Sequence, residues 1–259
     1  ASLGYQGNAN YVGGDTLVVI SRDGQGLTDS DNIAITVNPV NDAPVISFGE
    51  GDKVYNEGGV AVVLDASATV SDVDSLNFDG GHLLVECLVA QGVTHAFGVP
   101  GESYLAVLDG FHAHRDQIRF IACRQEGGAA FMAEAQGKLS GRPGICFVTR
   151  GPGATNASIG VHTAFQDSTP MILFVGDVAS DQRDREAFQE VEYTSFFGPS
   201  TKGMAKRVER IDDADRLPEY VARAFATAMN GRPGPVVLVL PEDMLVKPTT
   251  ARPLPRVEP

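Results

Sequence analysis

The stretch that decides the fold is residues 124–167, RQEGGAAFMAEAQGKLSGRPGICFVTRGPGATNASIGVHTAFQD. Within it, the run over residues 144–149 is apolar without polar alternation, which predicts a parallel strand buried on both faces. The turn Gly151-Pro152-Gly153 follows this strand and opens a second helix. Because open α/β sheets bind ligands at the carboxyl ends of their strands, we expect a ligand site at this turn.

The helix that precedes the strand consists largely of small residues. Ala129, Ala130, Ala133 and Ala135 leave it no bulky face, so we expect it to approach another backbone or a flat ligand closely. Glu126 stands at its start. This carboxylate is either a first-turn acid that complements the helix dipole or a functional group of the site, and the pattern alone favours the first.

Charge is unevenly distributed along the 259 residues, whose net charge is −13. Residues 1–80 hold 12 Asp and Glu against 2 Lys and Arg, whereas residues 81–259 hold 21 against 18. The acidity therefore belongs to the N-terminal third. It argues against nucleic acid as a partner and suits a cation-binding or strongly solvated segment.

The three cysteines, Cys87, Cys123 and Cys146, lie in apolar contexts, and their number is odd. We expect buried thiols in a reducing compartment and not a set of disulfides. No signal peptide pattern stands at the start, and no run of 18 apolar residues occurs, so no membrane partner is expected.

The first 80 residues predict short strands joined by turns. Strands are expected over residues 15–21, 32–37, 45–48 and 60–64. SRDGQGLTDSD supplies turn residues, and the two prolines of NPVNDAP fix an extended linker. A sandwich domain needs about seven strands. We therefore expect residues 1–43 to hold only closing strands and residues 44–80 only opening strands.

From residue 82 the pattern alternates between helices and strands. Leu84, Cys87 and Leu88 predict an amphipathic helix. Further strands are expected over residues 94–98, 118–123, 144–149, 170–176, 204–208 and 236–240. Helices are expected over residues 104–114 and 213–230, and a helix or tight turn over residues 187–197. This alternation predicts an α/β domain with a parallel sheet flanked by helices, followed by a proline-rich linker at residues 247–259.

Four segments of this part resemble a known family. RQEGGAAFMAEA, VTRGPGATN, AFQDSTPMILFVGDV and AFQEVEYTSFFGPSTK are similar, in order and spacing, to the pyrimidine-binding domain of thiamine diphosphate enzymes. Among these, the large subunits of acetolactate synthases match best. The resemblance extends over residues 81–246 and implies the thiamine-diphosphate-binding fold. It also implies a carboligase or decarboxylase that acts on 2-keto acids such as pyruvate.

The resemblance implies roles for single residues, and it favours the functional interpretation of Glu126. The carboxyl group of Glu126 would hydrogen-bond the ring nitrogen of the cofactor's aminopyrimidine and so activate the cofactor. The other residues implied to bind the cofactor are Val99, Pro100, Pro152 and Asn156. Gln189, as a catalytic residue, and Phe188 would face the reacting carbon, and Lys202 would lie near the substrate entrance.

Simpler interpretations stay open for these residues. The Gly-Pro-Gly segment must shape a strand-to-helix turn in any case, and Gln or Lys on a surface loop is usually only solvated. Phe131, and Gly203 after Lys202, stand where acetolactate synthases commonly have His. These two departures leave the substrate open.

Two features of the family, a Gly-Asp-Gly motif and a middle domain, have no counterpart in this sequence. The resemblance implies that Mg²⁺ and the diphosphate are held by a second domain with a Gly-Asp-Gly motif, and no Gly-Asp-Gly occurs here. A middle domain, which binds FAD in some members, has no counterpart either. The family's active site forms between two subunits. We therefore expect a fragment, inactive alone, that needs a homo-oligomer partner or the diphosphate-binding domain.

A second resemblance lies in the acidic third. ITVNPVNDAPVI, then EGG and SDVDSLNFDGG, resemble cadherin-like, immunoglobulin-like repeats of bacterial surface proteins. This resemblance implies calcium ligands, which would be Asp42, Glu57, Asp72 and Asp74. The spacing is not that of an EF-hand, because Leu83 occupies the twelfth position from Asp72. The alternative is a solvated acidic turn.

Three interpretations of the whole sequence follow. It is a fragment of a thiamine diphosphate enzyme, a calcium-binding segment of a surface adhesin, or an accidental fusion of the two. The enzyme-like part implies a cytoplasmic location, and the repeats imply the cell surface or secretion. The gene sequence on both sides of Gly80-Gly81 would distinguish the three.

Overall fold

A computed structural model describes residues 13–37, 45–47, 69–71, 79–198 and 203–258. The chain divides into two compact units, Ala1–Leu76 and Asn77–Pro259. The second unit contains the stretch at residues 124–167 and all of the described residues that the sequence implicates in cofactor binding.

The described part of the first unit consists of two antiparallel strand pairs. β1 (Gly13–Arg22) pairs with β2 (Thr28–Val37), and β3 (Val45–Ser47) pairs with β4 (Thr69–Ser71). The strand predicted over residues 60–64 lies outside the described residues. The cadherin-like interpretation of this unit stays a prediction.

The turn between β1 and β2 is closed by one aspartate. Oδ1 of Asp23 accepts the backbone N–H groups of Gln25 and Leu27, each at 2.9 Å, and Gly26 supplies a φ of +89°. The strand that follows starts at Thr28, earlier than predicted, because its pairing with β1 extends over the polar residues 28–31, which precede the apolar pattern used for the prediction.

The second unit has alternating strands and helices. Its strands are β5 (His95–Gly98), β6 (Arg119–Ala122), β7 (Gly144–Val148), β8 (Met171–Asp177), β9 (Arg207–Arg210) and β10 (Pro235–Pro241). Its α-helices are α1 (Asp79–Ala90), α2 (Leu105–Ala113), α3 (Glu126–Ser140), α4 (Pro152–Gln166), α5 (Tyr193–Phe197), α6 (Leu217–Met229) and α7 (Glu242–Leu245). Short 3₁₀ turns occupy Glu102–Tyr104, Ser180–Gln182 and Ala214–Arg216. No described helix is long and apolar enough to cross a membrane.

The six strands of the second unit form one parallel sheet in the order β6-β5-β7-β8-β10-β9. Every residue of β7, β8 and β10 is buried. The predicted α/β class and the parallel sheet flanked by helices are therefore confirmed for this unit. The strand predicted over residues 204–208 appears slightly later, as β9.

Alternating residues of the central strands pack into two separate cores. Ile145 and Phe147 of β7 face the core that α1, α2 and α6 cover, whereas Cys146 and Val148 face the core under α3 and α4. In the first core the rings of Phe147 and Phe174 stack with centroids 4.5 Å apart. Burial on both faces explains why these strands show no polar alternation.

The helices α3 and α4 approach each other through residues without bulky side chains. A Cβ atom on Gly160 would lie 2.5 Å from Cβ of Ala130, which is too close for two carbon atoms. Ala129, Ala130 and Ala133 are fully buried, as close packing requires. The prediction that this helix has no bulky face is wrong for its outer side, where Phe131 and Met132 are exposed.

Two predicted segments each contain more than one element. Over residues 187–197, where a helix or tight turn is predicted, Gln189 lies in a turn and Tyr193–Phe197 is helical. The helix predicted over residues 213–230 begins with a 3₁₀ turn and becomes α-helical at Leu217, because Pro218 suits the first turn of an α-helix. Gly231 ends it with a φ of +62°, as predicted.

The C-terminal segment is packed against the rest of the second unit. The amide of Gln91, which is buried, donates to the carbonyl of Pro255 at 3.0 Å and accepts from the N–H of Val257 at 2.8 Å. Arg142 donates to the carbonyl of Val257 at 3.1 Å. The proline-rich segment predicted as a linker is therefore held on the domain at these points.

We predict opposite effects of two glycine-to-alanine substitutions. Gly160→Ala should lower the free energy of unfolding by about 1–3 kcal/mol, because the new methyl group forces α3 and α4 apart. Gly128→Ala should raise it by up to about 1 kcal/mol, because its Cβ would meet nothing closer than 3.9 Å and alanine favours helix. Urea unfolding followed by circular dichroism measures both. Equal effects would show that the helix contact is not as tight as described.

Candidate functional site

The candidate site lies at the carboxyl ends of the parallel strands, where the segments that follow β5, β6, β7 and β8 come together. These segments carry the predicted residues in the described part of the chain, at Val99 and Pro100, at Glu126, at Pro152 and Asn156, and at Phe188 and Gln189. The carboxyl ends of parallel strands meet at the same edge, so the fold brings together residues far apart in sequence.

Glu126 is the first residue of α3 and is half-buried. Gln125 caps this helix in an extended conformation, and its side chain accepts the N–H of Gly128 at 2.8 Å. Oε2 of Glu126 accepts a hydrogen bond from Nδ2 of Asn156 at 3.0 Å. Two residues predicted separately are therefore in contact, and the carboxylate has a fixed orientation at the start of the helix.

The turn between β7 and α4 requires a glycine at residue 151. Gly151 has a φ of +54° and a ψ of −106°. Its N–H donates to the hydroxyl of Tyr193 at 2.8 Å. Burial raises the pKa of Tyr193, so the phenol stays neutral. Pro152 then starts α4, where its missing N–H costs nothing.

The segment after β5 is tied to the exit of β7. The hydroxyl of Tyr104 donates to the carbonyl of Val99. The hydroxyl groups of Ser103 and Thr149 form a hydrogen bond of 2.8 Å. A Cβ atom on Gly101 would lie 2.6 Å from Cβ of Thr149. These contacts bring Val99 and Pro100 to the edge of the sheet where α4 begins.

Phe188 and Gln189 lie on a separate loop after β8. Phe188 is 78% exposed, and Gln189 has a φ of +66°. Gln189 lines an open groove of about 560 Å³. Within the described residues no hydrogen bond joins Gln189 to Glu126.

The remaining predicted residues lie outside the described part of the chain. They are Lys202 and the four candidate calcium ligands Asp42, Glu57, Asp72 and Asp74. In the described part, no group of three or more His, Cys, Asp or Glu side chains could hold a metal ion.

Arg150 was not predicted as part of the site. Its side chain is buried and pairs with Glu102 and, at 3.1 Å, with Glu242. Burial raises the pKa of Glu242, and the neighbouring Arg150 opposes this shift. Arg150 joins the exit of β7 to α7 and to the segment after β5. Its signal in the sequence is a single cation that only Thr149 separates from the apolar strand β7.

The contacts of Glu126 leave one of its oxygens for a further hydrogen bond. Asn156 occupies one oxygen of Glu126, whereas Oε1 has no hydrogen-bond partner in the described residues and is available to a donor or ring nitrogen. The start of α4 beside it, residues 152–154, carries only Pro152 and two residues with small side chains or none. The first-turn interpretation of Glu126 is also compatible with this position.

Comparison with known proteins gives a consistent result. Residues 78–196 match the family described as "Thiamine pyrophosphate enzyme, N-terminal TPP binding domain". The acetolactate synthase of Bacillus subtilis (strain 168) is 37% identical over 173 residues, which cover 67% of this chain and 29% of that protein. The mitochondrial acetolactate synthase catalytic subunit of Aspergillus candidus is 38% identical over 180 residues, which cover 69% and 25%. Isozyme 3 of the acetolactate synthase large subunit of Escherichia coli (strain K12) is 36% identical over 166 residues, which cover 64% and 28%.

These matches support an acetolactate synthase-like, thiamine diphosphate-binding N-terminal domain in the second unit. The chain spans between a quarter and a third of the length of these relatives. The family match begins at residue 78 and leaves the cadherin-like interpretation of the preceding residues untested.

We predict that one of the three thiols reacts with iodoacetamide at pH 8 in the native protein. Cys123 is partly exposed, whereas Cys87 and Cys146 are buried and free. Burial raises the pKa of Cys87 to about 12 and raises that of Cys146 as well, so neither forms the reactive thiolate. Mass spectrometry should find one label before unfolding and three after it. Early labelling of Cys146 would contradict the described core.

Proposed function

We propose that the second unit is the pyrimidine-binding domain of a thiamine diphosphate-dependent carboligase or decarboxylase that acts on 2-keto acids. The hydrogen bond from Asn156 to Glu126 carries the proposal, because it fixes an ionisable group between two helix starts. The similarity to acetolactate synthases supports the same conclusion.

In this proposal the residues of the chain orient the cofactor. When bound, thiamine diphosphate supplies a carbon nucleophile that attacks the keto group of the substrate. Oε1 of Glu126 holds a proton at the ring nitrogen of the aminopyrimidine, while Asn156 keeps the other oxygen in place. Pro152 and the segment at Val99 and Pro100 exclude water from the ring. A hydrogen bond in such a site is stronger than the same bond in water.

The substrate is proposed only as a class. Pyruvate or a related 2-keto acid would approach from the side of Phe188 and Gln189, and Lys202 would lie at the entrance. The aromatic residue Phe131, which is exposed on α3, replaces the His that is common in acetolactate synthases. The acceptor that receives the two-carbon unit stays open.

The proposal requires a partner. The diphosphate and Mg²⁺ are expected on a second domain, and the FAD of some family members is expected on a middle domain. Phe131 and Met132 of α3 and Ile159 of α4 are exposed apolar residues, and Ile159 lies against Gly127, the residue after Glu126. A monomeric protein rarely leaves such residues together on its surface, so this surface supports contact with another domain or a second copy.

We predict that this chain does not turn over pyruvate until a diphosphate-binding domain is added in trans. Each charge-assisted hydrogen bond to the diphosphate is worth about 1.5–3 kcal/mol, and without them the cofactor should bind several powers of ten more weakly. With that domain present, Glu126→Gln should slow hydrogen–deuterium exchange at the thiazolium carbon by roughly a hundredfold or more.

Nuclear magnetic resonance of the cofactor measures this exchange directly. Glu86→Gln is the matched control, because Glu86 lies on α1 and is half-exposed. It should leave the exchange rate unchanged. Rapid exchange in Glu126→Gln, or turnover by the chain without an added domain, would contradict the proposal.

A further inference from the structure

The loop that carries Phe188 and Gln189 adopts an unfavourable backbone. Asp184, Glu186 and Gln189 have φ values of 61°, 55° and 66°, although none of them is glycine. A side chain disfavours this left-handed region. Three such residues within six positions therefore need contacts that hold them.

The carboxylate of Glu190 supplies these contacts. Oε1 accepts the N–H of Asp184 at 2.7 Å, and Oε2 accepts the N–H of Ala187 at 3.1 Å. The N–H of Glu190 itself donates to the carbonyl of Ala187 at 3.0 Å. Residues 187–190 therefore form a closed turn, with Phe188 and Gln189 in its two central positions. The third position, Gln189, has the positive φ that glycine or asparagine usually provides.

The same turn is fitted against the start of α4. A Cβ atom on Gly151 would lie 2.8 Å from both Cβ and the carbonyl oxygen of Gln189. On its other side Gly151 donates its N–H to Tyr193. The place of Gln189 is therefore defined relative to the helix that carries Pro152 and Asn156.

We propose that Glu190 is a positioning residue, which holds Phe188 and Gln189 at the site through the backbone of their loop. This inference rests on the proposed function for the role of those two residues. Glu190 does not act on the substrate itself, because both of its oxygens are engaged by backbone N–H groups.

A pH titration alone does not isolate Glu190. The N–H of Asp184 and those of neighbouring residues hold its pKa below the usual value, so the contribution of the carboxylate persists at neutral pH and is lost as the pH falls through that lowered pKa. Glu190, however, lines a small cavity together with Asp177, Asp184, Glu192, Tyr193, Arg183 and Arg210. Burial raises the pKa of Asp177 above its usual value, whereas the pKa of Glu190 lies below its own. Substituting Glu190 alone separates its contribution from that of Asp177.

The first experiment measures amide exchange in the full chain at neutral pH. In Glu190→Ala the amides of Asp184 and Ala187 should exchange about tenfold faster or more, the factor that corresponds to about 1.4 kcal/mol. Glu192→Gln is the matched control, because Glu192 lies in the same segment but accepts from Thr194 and pairs with Arg183. It should leave both amides unchanged. Unchanged exchange in Glu190→Ala, or an equal increase in Glu192→Gln, would overturn the inference.

A fluorescent reporter provides a second measurement. The chain contains no tryptophan, so Phe188→Trp introduces a single fluorophore at the tip of the turn. Adding Glu190→Gln, which keeps the size of the side chain, should lower the fluorescence anisotropy of this residue, and adding Glu192→Gln should not. Far-ultraviolet circular dichroism verifies that each variant is folded. An anisotropy that is independent of residue 190 would contradict the proposal.

The catalytic consequence is tested in the reconstituted system. Glu190→Gln should lower kcat for pyruvate while cofactor hydrogen–deuterium exchange, which depends on Glu126, stays at the native rate. Turnover unchanged by Glu190→Gln would refute the positioning role and leave the proposed function intact. Exchange that is insensitive to Glu126→Gln would refute the proposed function, whereas the loop measurements would still decide the role of Glu190 in ordering the turn.

Discussion

The close approach of α3 and α4 is the constraint on which the candidate site depends. Gly160 and Ala130 allow the two helix backbones to come within a distance that no larger pair of residues permits. Their N-termini consequently lie side by side, which is why Glu126 and Asn156 are in contact across thirty residues of sequence. A larger side chain at either position would separate the two helices.

The loops around the site are held mainly by polar contacts. Arg150 connects Glu102 and Glu242, Tyr193 accepts the N–H of Gly151, and the carboxylate of Glu190 closes its own loop. Apolar packing is non-directional, whereas each of these bonds fixes a position and an angle. The sheet therefore supplies stability, and the polar contacts at its edge define where the functional groups stand.

The sequence predicted the sheet well, because strands buried on both faces, such as residues 144–149, have an unmistakable apolar pattern. It predicted less where structure depends on distant partners. The polar start of β2 is a strand only through its pairing with β1. The small residues of α3 predicted a helix without a bulky face, but Phe131 is exposed on its outer side. Glu126 and Asn156 were implied by resemblance, and their contact is a product of the fold. Nothing local in the sequence indicated that Glu190 binds the backbone of residues 184 and 187.

The sheet order also has a consequence for biosynthesis. β8 pairs with β7 on one side and with β10 on the other, and β10 ends at Pro241. During synthesis the strand Met171–Asp177, which is apolar up to its last residue, therefore leaves the ribosome some sixty residues before its second neighbour. Until then one of its edges offers unpaired N–H and carbonyl groups to any other extended chain. The nascent domain is thus most vulnerable to aggregation in the interval before the final strand emerges.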